Sequence, residues 1–256
     1  MTITEALIAG CVQGVTEFLP VSSSGHLVLV HSFFGGEGAN VFFDICLHAA
    51  TLGAVILYFS RDICALVKEK NIAWLFYIAI GTVPAVAAAL LFEKRISGFF
   101  TDPWKVACML ILTALVLFSA QAVLRKRQNA GEGPKFRSSL LVGAAQALAL
   151  LPGISRSGMT ISAGLFGGMK AEEAFRFSFL LSIPIIAGAV LYKVVTTDVA
   201  AMISGNCAAY AVGMASAFAA GIVSLRFLWW IMRGRRLYVF GIYCLLLGVT
   251  GIIFLK

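Results

Sequence analysis

The chain has 256 residues, 60% of them hydrophobic and only 12% charged, with a mean hydropathy of +0.94 and a formal net charge of +8. Soluble domains carry about a quarter charged residues. The composition therefore excludes an ordinary soluble enzyme and describes a polytopic membrane protein, whose building unit is a span of roughly 20 apolar residues.

The first stretch, MTITEALIAGCVQGVTEFLP, has no basic n-region and carries Glu5, Gln13 and Glu17, so it does not read as a secretory signal. It opens an apolar region of about 3–34 that is broken midway by LPVSSSG. Spans of suitable length follow at about 42–60, 72–92 and 105–124, then the polar linker Arg125–Lys135. A second broken region, about 138–168, is interrupted by LPGISRSG, and further spans follow at about 174–196, 208–230 and 237–255. Each arm of a broken region is too short to cross a bilayer alone. Both regions therefore read as re-entrant helix pairs, whose non-helical backbone at depth must be satisfied by protein or by a polar cavity; the competing reading is a kinked full span. Pro84 and Pro184 are expected to kink their spans. Glu172, Glu173 and Arg176 read as a solvated helix start, His31 as an interfacial residue. The six cysteines are dispersed and read as packing groups.

The two broken regions match each other. Gln13 to Ser22 and Gln146 to Ser155 are both nine positions, and at the same offset of 133 Ser24 meets Ser157 and Gly25 meets Gly158. Three spans follow each region, so residues 1–256 form a single integral membrane domain of two repeat halves, 1–127 and 134–256. With an odd number of spans per half, the second half inserts upside down relative to the first, the inverted-repeat arrangement of many transporters. The expected fold is thus all-α and polytopic, with six transmembrane helices plus two re-entrant helix pairs in an inverted-topology repeat. One side collects Arg61, Lys68, Lys70, Arg125, Lys126, Arg127, Lys135, Arg137, Arg233, Arg235 and Arg236. The other has Lys94, Arg95, Lys105 and Lys256, with Asp198 in the loop near 197–206. The richer side is expected to be cytoplasmic, which places both termini outside. The surplus positive charge orients the protein and attracts anionic lipid; it does not call for nucleic acid.

An arginine at the bilayer centre costs about 2.5–3.5 kcal/mol on insertion scales, so Arg156 requires a partner or a ligand. Gly153 and Gly158 allow close backbone approach, and a helix starting near Ser157 directs free N–H groups to the same point. The guanidinium fork suits phosphate oxygens, and Ser155, Ser157 and Thr160 add hydroxyls. Together they form an anion cradle. The plainer reading pairs Arg156 with Glu17 to hold the halves together; the two are compatible in a resting state. The first region supplies Gln13 and Glu17 at i, i+4, then Ser22, Ser23, Ser24 and His26. Glu17 can act as general base or metal ligand, and His26 as acid, base or nucleophile. Asp44 and His48, also at i, i+4, are secondary candidates that either line the cavity or join helices.

On "QGVTEFLPVSSSGH" (Gln13–His26) and "PGISRSGMT" (Pro152–Thr160) the chain resembles the undecaprenyl-diphosphate phosphatase family of bacterial inner membranes, the bacitracin-resistance type. "FDICLHAATLGAV", "GTVPAV" and "FSFLLSIP" extend the likeness over nearly the whole chain. Many relatives have Glu where this chain has Gln13, which removes one charge that could hold a metal. The resemblance implies hydrolysis of undecaprenyl diphosphate to the monophosphate and inorganic phosphate, recycling the lipid carrier for wall polymers. It further implies a divalent cation such as Mg²⁺ or Ca²⁺, an outward-facing site and a possible homodimer. It carries roles to Glu17, Ser23, His26, Ser155, Arg156, Ser157 and Thr160, with Gln13 weaker. "SGH" with a later "SR" also echoes the membrane phosphatidic-acid phosphatases, but their later His-x3-Asp is missing, since no His lies beyond position 48.

These residues give an expected mechanism in which Arg156 and the serines hold the phosphates and Ser23, activated by His26, attacks. His26 itself or a metal-activated water are alternative nucleophiles. The rival from another class is a carrier or flippase for an anionic lipid, which inverted repeats describe equally well.

Overall fold

The computed structural model describes residues 1–26, 41–97, 99, 102–126, 131–196 and 207–254. Its elements in chain order are α1 (Ile3–Phe18), α2 (Val41–Tyr58), α3 (Ser60–Lys68), α4 (Ile72–Ser97), α5 (Pro103–Lys126), α6 (Phe136–Leu148), α7 (Arg156–Phe166), α8 (Ala171–Thr196), α9 (Cys207–Arg233) and α10 (Tyr238–Phe254). A single parallel bridge between Glu132 and Met169 is the extended pairing among the described residues. His31, the arm of the first broken region beyond His26, Arg127, Asp198 and Lys256 lie outside them.

Four stretches, Ile72–Phe92, Pro103–Lys126, Ala171–Thr196 and Cys207–Arg233, are long and apolar enough to cross a membrane. The span expected at 42–60 is a helix that bends by 62° into α3, and the last is a shorter apolar helix of 17 residues. Pro84 and Pro184 lie inside α4 and α8, and the break in helical dihedrals within α4 falls at Phe92 (φ −120°, ψ 15°). Arg176 is also not simply solvated. It donates to Asp62 at 2.5 Å and to Glu173 at 3.2 Å and lies over the Trp74 ring, tying the start of α8 to α3 and α4.

Both apolar regions break at their polar turns, for different local reasons. Leu19, preceding Pro20, takes an extended conformation (φ −69°, ψ 147°) and ends α1, as a residue before proline tends to. Ser22 then adopts φ +69°, and a new helical turn begins at Ser23. In the second region Gly153 takes φ +89°, where a Cβ would collide with the Val106 carbonyl. Ser155 then caps α7 by accepting from the Gly158 N–H at 3.2 Å.

The carbonyls these turns expose are met by side chains of the last helix of the other half of the sequence. Thr113 on α5 donates to Gly153 O at 3.2 Å and accepts from Ser155 N–H at 3.2 Å. Cys244 on α10 directs its Sγ to Pro20 O at 3.4 Å, so this cysteine does more than fill space. Helix partners are exchanged between halves in the same way: α1 packs along α9, α6 along α4, and α5 along α10. The crossings rest on glycine. A Cβ at Gly10 would overlap Gly213 O, and one at Gly143 would sit 2.6 Å from Gly81 O. Such close backbone approach is the usual way helices associate where lipid removes the hydrophobic drive.

An aromatic core lies beside the first turn. Phe179 of α8 meets Phe18 (ring centroids 5.7 Å), Phe59 (5.9 Å) and Phe175 (4.9 Å). It binds the residue after Glu17 to the opposite half and so fixes the carboxylate's position.

Candidate active site

Glu17 occupies the last turn of α1, one turn after Gln13, and Arg156 is the first residue of α7. The two broken helices therefore bring a carboxylate and a guanidinium together across 139 positions of sequence: Arg156 Nη2 donates to Glu17 Oε1 at 2.5 Å. Both are withdrawn from solvent, with side chains 7% and 14% exposed for Glu17 and Arg156. The second carboxylate oxygen accepts from Ser23 Oγ at 2.8 Å and from Gln13 Nε2 at 3.0 Å.

Gln13 Nε2 also donates to His48 Nδ1 at 3.0 Å, and that ring nitrogen stands 3.6 Å from Glu17 Oε2. The secondary candidate His48 is thus brought to the carboxylate, with Asp44 part-buried one turn earlier on α2. With its amide nitrogen facing Glu17, Gln13 is left with a buried Oε1 that has no partner. Arg156 Nη1 is buried and unpartnered as well. Buried polar atoms are normally satisfied, so these two mark where a further polar group fits. Gln146, the counterpart of Gln13, is buried with neither amide atom bonded, but it has no carboxylate beside it, since Leu150 stands at the position matching Glu17.

The serines divide. Ser23 faces Glu17. Ser22 and Ser24 approach each other at 3.4 Å, as Ser155 and Ser157 do at 3.3 Å. Ser155 also caps α7, so part of its function is to build the helix start. Thr160 is turned to structure: its hydroxyl donates to Arg156 O at 2.8 Å and meets Ser178 Oγ at 2.5 Å, joining α7 to α8.

His26 is not hydrogen-bonded to Ser23. Its Nδ1–H donates to Ser22 O at 2.8 Å, and its Nε2 accepts from Tyr243 OH at 2.6 Å, with the two rings stacked at 5.8 Å. The tautomer with its proton on Nδ1 follows from the carbonyl acceptor. Tyr243 is the residue that sequence reading missed. Its signal was a phenol within the apolar run of α10, which reads as an interface anchor unless its partner in the first turn is known. Replacing it with Phe keeps the ring stack and removes the donor. We expect kcat to fall by about tenfold, the equivalent of one hydrogen bond, with KM and unfolding temperature nearly unchanged.

Among the described residues no three His, Cys, Asp or Glu side chains converge to form a metal cage. The available oxygens are the Glu17 carboxylate, the unpartnered Gln13 Oε1 and the Ser23 hydroxyl. That set suits a hard divalent cation completed by oxygens of a phosphorylated ligand.

Residues 6–250 match the family model described as "Bacitracin resistance protein BacA". An undecaprenyl-diphosphatase of Moorella thermoacetica is 39% identical, with 97% of this chain and 96% of that protein aligned. One from Korarchaeum cryptofilum is 38% identical over 98% of both chains. A third, from Marinobacter nauticus, is 39% identical over 99% of this chain and 98% of its own.

Proposed function

The chain belongs to the BacA bacitracin-resistance family, and from that premise we propose that it hydrolyses undecaprenyl diphosphate to undecaprenyl phosphate and inorganic phosphate. The observation that carries the reading is one carboxylate, Glu17, bonded at once to Arg156 and Ser23 in a buried site, with Arg156 Nη1 still unpartnered. The similar proteins are undecaprenyl-diphosphatases by name, which favours the hydrolase over the carrier.

In the mechanism we infer, an incoming diphosphate competes with Glu17 for the Arg156 fork. A guanidinium bound to phosphate stabilises charge as the bridging P–O bond breaks. Glu17, released from its counter-ion, accepts the Ser23 proton while Ser23 Oγ bonds to the terminal phosphorus and the lipid monophosphate leaves. Water then cleaves the phosphoserine. His26, in the same helical turn as Ser23 and held by Ser22 O and Tyr243, is the second proton-transfer group of the site. Glu17 and Gln13 would hold a divalent cation, which supplies neutralisation of phosphate charge when bound. The prenyl tail lies between helices or in lipid.

The fold we propose for this reaction keeps six membrane crossings and two re-entrant pairs in an inverted repeat. Supporting it are the exchanged helix partners, the glycine crossings at Gly10 and Gly143, and the last-helix donors to Pro20 and Gly153; Gly10 and Gly143, like Pro20 and Gly153, are 133 positions apart. The basic loops support a cytoplasmic-membrane location with both termini and the site facing outward.

The test is phosphate release by purified protein in detergent, where no second compartment exists. Release from both C15 and C55 diphosphates is expected, to be lost on chelation and restored by Mg²⁺ or Ca²⁺. A protein that binds the diphosphate yet releases no phosphate under any metal condition would falsify the hydrolase reading.

A further inference from the structure

Gln146 is 1% exposed in the last turns of α6, and neither its Nε2 nor its Oε1 has a hydrogen-bond partner among the described residues. Burying an amide unbonded is costly. Its counterpart Gln13 shows what this amide does elsewhere in the fold. Gln13 Nε2 donates to Glu17 Oε2 and to His48 Nδ1, each at 3.0 Å, and the same carboxylate oxygen accepts from Ser23 Oγ at 2.8 Å. At the offset of 133 the second half has Leu150 for Glu17, Leu181 for His48 and Arg156 for Ser23. The anion and the imidazole are replaced by leucines, the amide is kept, and the hydroxyl donor becomes a cationic one.

The backbone follows the same course in both halves. Leu150 lies one turn beyond Gln146, as Glu17 does beyond Gln13: Ala149 N–H donates to Ala145 O at 3.1 Å and Leu150 N–H to Ala147 O at 3.3 Å. Contacts between the two polar turns are exchanged as the repeat requires. A Cβ at Gly158 would stand 3.2 Å from Pro20 Cβ, and the counterparts of these two residues, Gly25 and Gly153, both approach Val106. The place that the Glu17 carboxylate fills beside Gln13 therefore has an equivalent beside Gln146, with leucine where the acid would be. Arg156 gives Nη2 to Glu17, and its Nη1 is buried without a partner. Gln146 Nε2 and Arg156 Nη1 are thus two buried donors from neighbouring helix ends that suit an anion brought by a ligand.

We propose that Gln146 is a substrate-binding residue, its Nε2 and Arg156 Nη1 holding the lipid-linked phosphate of the diphosphate in the place equivalent to the Glu17 carboxylate. This rests on the hydrolase reading and on the repeat proposed above. The course of the reaction selects that phosphate over the terminal one. Ser23 is held on the Glu17 side, and in an in-line displacement the leaving oxygen departs opposite the attacking one, toward the second half. Leu150 then has a plain function, because a glutamate there would occupy both donors and repel the leaving phosphate.

Calorimetric titration of the purified protein in detergent with farnesyl monophosphate, which carries only the lipid-linked phosphate, tests the assignment. Q146L should bind it about tenfold more weakly than wild type, or worse, the effect of one hydrogen bond to a charged group. Its unfolding temperature should not fall, since the two polar atoms it removes have no partner. Q146E keeps the shape of the side chain but turns an acceptor toward the phosphate, and should bind more weakly than Q146L. L150E should lose affinity by supplying the carboxylate itself. S162A, which removes another buried and unpartnered hydroxyl of α7, should stay within about twofold of wild type. Unchanged affinity in Q146L, wild-type affinity in Q146E, an equal loss in S162A, or no binding by the wild type would each overturn the proposal. Wild-type affinity in L150E would do so as well, and decides the matter alone if the Gln146 variants do not fold. A wild type that binds farnesyl monophosphate yet releases no phosphate from diphosphates defeats the hydrolase reading, while Gln146 is judged on affinity.

Discussion

Arg156→Ala is expected to lower phosphate release from a prenyl diphosphate by about a thousandfold or more, the scale of an arginine's effect in phosphoryl transfer. Two separate losses are combined in that variant. The substrate loses a fork that binds two phosphate oxygens in a dry site. Glu17 loses its buried counter-ion, and removing one partner of such a pair costs about 3–5 kcal/mol of stability. E17Q/R156A separates the two. With no uncompensated charge left, its unfolding temperature should return toward wild type, while its activity, now without the base that takes the Ser23 proton as well, should stay at or below the Arg156→Ala level. Arg156→Lys keeps the charge without the planar fork and should recover part of the rate. Near-wild-type turnover in E17Q/R156A would reduce the ion pair to a strut between two helices and remove Arg156 from the mechanism.

Ser23→Ala carries the second large effect. Ser23 donates to Glu17 Oε2 at 2.8 Å while remaining part-buried, so its oxygen is the polarised one among the serines of the first turn. Loss of a nucleophile acts on kcat and leaves KM little changed. We expect a fall of about a thousandfold in kcat, with the stability of the fold retained because no buried group loses its only partner. Rapid quenching of the wild type should yield a phosphorylated peptide containing Ser23 that is missing from the variant. If Ser23→Ala turns over within about tenfold of wild type, attack passes to water or to His26, and Tyr243→Phe becomes the more damaging substitution.

Much of this site was legible from the chain alone. An arginine and a glutamate inside apolar runs are expensive, so their presence marks both turns, and the repeated Gln…Ser spacing pairs them. Helix ends at LPVSSS and LPGIS follow from proline, glycine and serine acting locally, and the structure breaks at both. Distances between elements were not legible. The partner of His26 was assigned to Ser23 by nearness in sequence, yet the ring turns to Ser22 O and to Tyr243, 217 positions away. Thr160 matched a phosphate-binding pattern, but its hydroxyl closes on Ser178. Arg176 looked solvated because Asp62 and Trp74 lie far from it along the chain.

The sequence by itself determined the membrane class, the two broken regions, the internal match between halves and the family, because each depends on composition or on local backbone preference. Only the tertiary structure decided which hydroxyl faces Glu17, that His48 and Gln13 share its carboxylate, and that Tyr243 holds His26. The physical reason is common to all of them. A hydrogen bond or ion pair forms within about 3 Å, and the positions that satisfy that limit are set by how whole helices cross. Those crossings are fixed by glycines such as Gly10 and Gly143 pressed against carbonyls of the other half.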